Sequence, residues 1–300
     1  MSAFMRSLMF VPGHRQRMVD RALGLGEFAP GEVDVVMLDM EDGVPVAEKD
    51  NARSVIAGSL GRPSNGGCGP LRYVRINAIG SDRCDPDLAA AVRLGLNGVV
   101  APKVDWPDDL VTLSKLLDTL ELKVGMPIGT VQIIAAVEGG LGLLNAYRIA
   151  CVSPRTIGLM FGAEDYALDI GLPAQRESEA AELIFARSSV VNACAAAHRF
   201  SFDGVWPDIR DMEGLRVDAL QSRRLGFTGK SMIHPGQAPV VNEVFSPSAA
   251  DIAYAKRVMQ AFEEAQARGD GAVAFGGQLL DLPIIERARR TLDVARALGQ

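Results

Sequence analysis

Along this chain, short apolar runs bounded by turn residues alternate with longer segments whose apolar residues fall three and four positions apart. The first pattern belongs to strands covered on both faces, the second to amphipathic helices. Eight runs stand out: SLMFV (7–11), DVVMLDM (34–40), LRYVRI (71–76), GVVAPK (98–103), VQIIAAV (131–137), TIGLMFG (156–162), FDGVW (202–206) and GKSMIH (229–234). Their spacing stays near the roughly 30 residues that one βα unit requires. Between them, Leu110, Leu113, Leu117 and Leu120 mark one helix, and Leu183, Ile184, Val190, Val191 and Cys194 another. Asp85 before Pro86, Asp105 before Pro107 and Ser246 before Pro247 predict capped helix starts.

Eight such units without a break in composition predict an α/β fold, a (β/α)8 TIM barrel, with a doubly wound sheet as the alternative. The barrel is expected to occupy residues 1–245 as the catalytic domain. Residues 246–300 exceed the eighth unit: a helix (248–267), the glycine-rich GDGAVAFGGQLLDLP and an arginine-rich helix (284–298) predict a C-terminal helix–lid–helix extension. SLGRPSNGGCGP (59–70) reads as a surface loop, and there is no internal repeat.

With 300 residues, 48% of them hydrophobic, the chain can bury a full core, which excludes disordered and fibrous classes. Its net charge of -6 argues against nucleic-acid and anionic-membrane partners and leaves a small ligand met by local arginines. Cys68, Cys84, Cys151 and Cys194 form no Cys-x-x-Cys pair and are expected to be reduced thiols in a cytoplasmic protein. SLMFV is too short for a signal-peptide core, and no apolar stretch reaches membrane-spanning length.

In a barrel the active site lies where the strands end, so the residues that end each run or just follow it carry the functional signal. They are Pro12, Gly13 and His14; Glu41 and Asp42; Arg75 and Asn77; Lys103; Glu138; Glu164 and Asp165; Asp208; and His234. Any one acid could be a helix cap, but a rim built of charged and imidazole groups points to a site. Glu138 and Asp165, on neighbouring strands, suit Mg²⁺, with Mn²⁺ as a substitute, since only three histidines are present and a hard cation takes oxygen ligands. Gly139 and Gly140 would let the backbone crowd against the ligand. Arg75 fits as a carboxylate or oxyanion clamp and, equally, as an ion-pair partner of Glu41 or Asp42. Lys103 fits either a Schiff base or an ion pair. GLGLLN (140–145) begins like a dinucleotide fingerprint but carries Asn145 at its sixth position.

The motifs RSLMFVPGHR, VVMLDMEDGV, YVRIN, VVAPKV, VEGG, FGAEDYALDIG, GFTGKSMIHPGQ and LLDLP together resemble, from end to end, the citrate lyase beta-subunit-like and malyl-CoA lyase family. The resemblance implies a Mg²⁺-dependent lyase that cleaves or forms a carbon–carbon bond in a 3-hydroxyacyl-CoA thioester such as malyl-, citramalyl- or citryl-CoA. It implies Glu138 and Asp165 as metal ligands, Arg75 as substrate and oxyanion contact, and Glu41 and Asp42 as the acidic pair near the metal-bound waters. Asp281 of the late DLP motif matches a catalytic Asp that reaches into a neighbouring subunit, so a homo-oligomer, trimer or hexamer, is expected. His14, Arg15, Lys103, Gly139 and Glu164 are the rim residues expected around the substrate, with Arg15 and Arg17 facing the CoA phosphates. The family usually carries Ser or Thr and then Ala where this chain has Gly139 and Gly140, which bears on the substrate. A pyruvate-type class II aldolase, a malyl-CoA thioesterase and a carrier-dependent beta subunit inactive alone are the competing functions. The aldolases typically carry a catalytic His where this chain has Asp42.

Overall fold

A computed structural model describes residues 4–27, 32–65, 69–173, 180–268, 273–275 and 278–300. Cys68 and part of the glycine-rich stretch after residue 268 lie outside the described residues. The chain divides into two compact units, Met1–Asn242 and Glu243–Gln300.

The first unit runs β1 (Ser7–Pro12), α1 (Gln16–Leu23), β2 (Val35–Asp39), α2 (Lys49–Leu60), β3 (Leu71–Arg75), α3 (Cys84–Ala91), β4 (Gly98–Ala101) and α4 (Pro107–Lys123). It continues through β5 (Gln132–Val137), α5 (Gly140–Cys151), β6 (Thr156–Phe161), α6 (Ala163–Asp169), α7 (Ile184–Ala196), β7 (Phe200–Asp203), α8 (Met212–Leu225) and β8 (Gly229–Met232). The eight strands are parallel and close into a barrel, β8 returning to β1 through Leu8 opposite Ser231. This is the (β/α)8 TIM barrel that the spacing predicts, and the doubly wound alternative falls because the sheet has no edge.

Alternate residues of each strand point into the lumen, and there Leu8, Val35, Met37, Tyr73, Val100, Ile134, Ala136, Met160 and Phe202 pack as one apolar plug. Burying each large side chain contributes about 1.5–3 kcal/mol. The Tyr73 hydroxyl, deep in that plug, donates to Gln132 Oε1 at 2.5 Å, which meets its need for a partner.

The seventh run was placed too late. Strand β7 is Phe200–Asp203, and the GVW that follows leaves the barrel wall, because pairing with β6 begins at Phe200 opposite Gly158. Asp203 turns outward into the helix layer. There Arg187 of α7 donates to it at 2.5 Å and Lys230 of β8 at 2.9 Å, while Lys230 also meets Asp218 of α8 at 2.5 Å and the Gly204 carbonyl at 2.7 Å. Burial works against the Asp203 charge, but Lys230 and Arg187 outweigh it and hold the carboxyl below its ordinary range.

Helix caps also differ from expectation. Helix α3 starts at Cys84, so Asp85 and Pro86 sit inside its first turn, where a missing N–H costs nothing. Trp106 precedes α4, and Asp109 accepts from its backbone N–H, whereas Asp105 accepts from Gly142 N at the start of α5.

Helix α9 (Ala238–Phe245) spans the boundary between the units, and the second unit continues with α10 (Ala249–Arg268), the antiparallel pair β9 (Val273–Phe275) and β10 (Gln278–Leu280), and α11 (Leu282–Ala297). Ser248, not Ser246, caps α10, through reciprocal bonds with Asp251 of 3.0 Å each. Val258, Leu280 and Ala288 lie in a separate apolar core that joins α10, β10 and α11. Among the described residues no helix is long and apolar enough to cross a membrane.

Candidate active site

Beyond the apolar plug, the C-terminal ends of the strands surround a cavity of about 300 Å³, with Phe10, Asp39, Arg75, Glu138, Asp165 and Ser231 in its wall. Its polar half is organised by Asp39, the last residue of β2. Arg75, the last residue of β3, is its register partner and grips both carboxylate oxygens, Nε to Oδ1 and Nη2 to Oδ2, at 2.8 Å each. The Glu41 and Gly43 amides donate to the same two oxygens at 2.8 and 2.9 Å. A Cβ at position 43 would lie 2.3 Å from Asp39 Oδ2, so only glycine permits this wrap.

From this pair the network extends outward. Arg75 Nη1 lies 3.2 Å from Glu41 Oε2, and Lys103 Nζ binds Glu41 Oε1 at 2.7 Å and Asp42 Oδ2 at 3.1 Å. Beneath the acidic turn, buried Lys49 donates to the Met40 and Glu41 carbonyls at 2.6 and 2.7 Å and to Asn77 Oδ1. Burial disfavours the Arg75 charge, yet Asp39, then Glu41 and Glu138, hold the guanidinium above its ordinary value. Burial likewise opposes the Lys103 charge, and its bonds to Glu41 and Asp42 reverse the balance and raise it. A lysine so held stays protonated, which removes the nucleophilic lone pair that a Schiff base needs.

Glu138, directly after β5, has the opposite character. It is 8% exposed, and its Oε2 has no hydrogen-bond partner. Burial first, then the charges of Asp165 and Glu41, push its carboxyl up to about 7, against the smaller pull of Arg75 and Lys103. Gly162 fixes its position, because a Cβ there would lie 2.4 Å from Glu138 Cγ. Asp165 stands in the first turn of α6, next to Glu164, and both line the cavity. An orphaned buried carboxylate oxygen beside a second acid is a donor set that fits a hard cation. Among the described residues no group of three or more His, Cys, Asp or Glu is arranged to hold a metal, so a cation here would complete its shell with water and ligand oxygens.

The other residues expected on the rim divide. Glu41 is buried and Asp42 exposed, both tied to Lys103. His14 is half-buried with Nδ1 unpartnered, and Arg15 is exposed ahead of α1; neither contributes to the cavity wall. Gly139 follows Glu138 and precedes α5. Its open Cα side faces Asp169 and Asp105, and the neighbouring Gly140 amide donates to Asp169 at 2.7 Å. Asp208 accepts from Arg210 N and His234 Nδ1 from Gly236 N, so both build turns. Asp281 is exposed in the second unit and caps α11 by accepting from Ile284 N at 3.1 Å. Asp39 and Ser231 were missed; each lies inside a strand run, and the signal was the period-two alternation that turns them inward with the rim groups.

The family model for HpcH/HpaI aldolase/citrate lyase matches residues 6–235. Over 292 residues the chain is 36% identical to the citrate lyase subunit beta of Leuconostoc mesenteroides subsp. cremoris, covering 97% of this chain and 93% of that one. It is 33% identical over 295 residues to a (3S)-malyl-CoA thioesterase of Cereibacter sphaeroides, covering 98% and 95%. A Mycobacterium tuberculosis protein crystallised in complex with magnesium, acetoacetate and coenzyme A has a TM-score of 0.77 and 31% identity, covering 98% of this chain and 99% of that one.

Proposed function

This chain belongs to the HpcH/HpaI aldolase/citrate lyase family, and from that premise we propose that its barrel rim is a Mg²⁺-dependent carbon–carbon lyase site for a 3-hydroxyacyl-CoA thioester of the malyl, citramalyl or citryl type. The observation that carries this reading is the pairing, across one cavity, of a cation-seeking acid pair, Glu138 and Asp165, with a clamped guanidinium, Arg75. Magnesium held by the two acids, with Mn²⁺ as a substitute, would supply Lewis-acid stabilisation of charge on substrate oxygens. The tuberculosis relative with magnesium and coenzyme A supports that cofactor and substrate class.

Cleavage passes the substrate hydroxyl proton to solvent water as the oxygen becomes a carbonyl, and the electron pair of the breaking carbon–carbon bond ends on the carbon next to the thioester, which then takes up a proton. Arg75 has three of its N–H groups directed at Asp39 and Glu41, which leaves the others for the oxygen that becomes a carbonyl. Asp39 keeps that fork from rotating, and Lys103 holds Glu41 and Asp42 beside it. Asp281, from a neighbouring copy, is the group proposed to exchange the proton at the thioester carbon, and its exposure supports that role.

The test is a panel of malyl-, citramalyl- and citryl-CoA assayed with Mg²⁺ or with EDTA, following acyl-CoA and oxo-acid products. Oxo acid plus a shortened acyl-CoA, lost in EDTA, is the expected result. Activity that survives EDTA and is trapped by borohydride on Lys103 would sink the metal-dependent reading. Release of free CoA and hydroxy acid would favour a thioesterase, a reading supported by the Cereibacter relative. Turnover on acyl-carrier esters alone would favour a subunit of a larger lyase, as the Leuconostoc relative's name suggests.

A second expectation concerns Asp281. Asp281→Asn keeps a good helix cap, so mixing it with Glu138→Gln should restore activity that neither variant has alone if each site takes its Asp from a neighbour. Absence of rescue would place the residue's action within its own chain.

A further inference from the structure

Ser231, in β8, is 1% exposed, and its hydroxyl has no hydrogen-bond partner. Other buried serines are satisfied: Ser7 accepts from Asp34 N, Ser59 donates to the Val55 carbonyl, Ser153 pairs with Ser114, and Ser222 donates to Asp203. Among the described residues, the cavity wall holds two side chains with a buried, unpartnered polar atom, Glu138 and Ser231. A cation answers for the first. No described residue answers for the second, and a buried hydroxyl without a partner persists where a ligand supplies one.

Its placement is defined by the strand. Lys230 turns outward to Asp203 and Asp218, so Ser231 turns into the lumen. Around the closed barrel, β8 lies three strands from β3, which carries Arg75, and three from β5, which leads to Glu138. Ser231 therefore faces both across the cavity. The lining residues from β6 and from the ends of β7 and β8, Met160, Val205 and Ile233, are apolar, so Ser231 is the polar side chain that β8 contributes to the wall.

We propose that Ser231 is a substrate-binding residue: its hydroxyl meets an oxygen on the portion of the substrate that reaches away from Glu138 and Arg75, so that the cavity favours a carboxylate-bearing oxo-acid portion over one ending in an alkyl group. This rests on the lyase reading for the substrate class, and on the cavity alone for the contact. A site built to hydrogen-bond a ligand oxygen discriminates against an analogue lacking it, because the protein group is then left unmet.

The probes are oxaloacetate, whose tail is a carboxylate, and 2-oxobutyrate, whose tail is a methyl, titrated by calorimetry in Mg²⁺ into wild type, Ser231→Ala and Glu138→Gln. Ser231→Ala should weaken oxaloacetate about 10- to 100-fold and 2-oxobutyrate by less than about threefold. Its thermal unfolding midpoint should be unchanged or higher, since an unsatisfied hydroxyl is removed. Equal weakening of both probes, no weakening, no binding of either to wild type, or a lowered midpoint would each overturn the proposal. Glu138→Gln should weaken both probes alike, which separates a failed metal site from a failed Ser231 contact. If oxaloacetate binds as expected while no thioester is cleaved, the lyase reading falls and the contact stands.

Discussion

Glu138→Gln is expected to abolish Mg²⁺-dependent turnover and, in the same molecule, to stabilise the metal-free protein at pH 8. Glu138 titrates at about 7 in the folded chain against an ordinary value of 4.5, because it is buried and faces Asp165 and Glu41. Between those two values the native state keeps a proton that the unfolded chain has released. Stability therefore falls as pH rises through that window and stays at the lower level above it. The full cost at pH 8 is up to about 3 kcal/mol, and a neutral amide of the same shape avoids it. Urea unfolding in EDTA at pH 5 and pH 8 measures this directly: wild type should lose stability between the two, the variant should not. Added Mg²⁺ should stabilise wild type and leave the variant unmoved. Metal-dependent turnover in the variant would reject Glu138 as the ligand, and equal pH sensitivity of the two proteins would reject the raised carboxyl as the source of the effect.

Arg75→Ala should fail in the opposite sense, losing both activity and stability. The side chain of Asp39 is 3% exposed and receives both arms of the Arg75 fork. Removing the guanidinium leaves a buried carboxylate with two amide donors and without the cation that grips both its oxygens, a loss of about 3–5 kcal/mol. Activity should drop by about two to three orders of magnitude with the lost oxyanion contact. The double variant Arg75→Ala with Asp39→Asn separates the two effects. Deleting both charges should recover most of the stability, since a buried pair is costly chiefly when broken, and none of the activity. If stability did not return, the Asp39 and Arg75 pair would not be the source of the loss. If activity returned with stability, Arg75 would be a structural residue.

How much of this was legible in the chain depends on what each inference needed. The strands could be read because parallel barrel strands, buried on both faces, are continuous apolar runs, and the closed eight-stranded barrel follows from their number and spacing. The seventh was misplaced because FDGVW looks like a strand by composition, whereas pairing with Gly158 decides that β7 starts at Phe200. Glu41, Glu138 and Asp165 follow apolar runs and Arg75 stands near the end of one, so all four are visible as polar residues at strand ends. Asp39 stays hidden, because its importance comes from standing opposite Arg75 in register, a fact of pairing that one strand's sequence does not contain. Asp208 and His234 each accept a backbone N–H in a local turn, a role that strand-end position alone does not reveal. The Gly139–Gly140 turn is met by Asp169, some 30 residues further along the chain, which neither stretch shows by itself. Contacts of that separation are set by the closed barrel and not by neighbours in sequence.

The ionic cluster behind β7 and β8 has a consequence for how this barrel could be divided. Arg187, Asp203, Asp218 and Lys230 all lie within the last quarter of the first unit, on α7, β7, α8 and β8. A chain severed between α6 and α7 would keep every one of those partners on a single fragment, while Glu138, Asp165 and Arg75 would stay together on the other. The cut would strand Ser231 alone. The C-terminal half, expressed separately, would thus carry this ionic cluster already matched, and the wall that Ser231 completes would exist only in the reassembled pair.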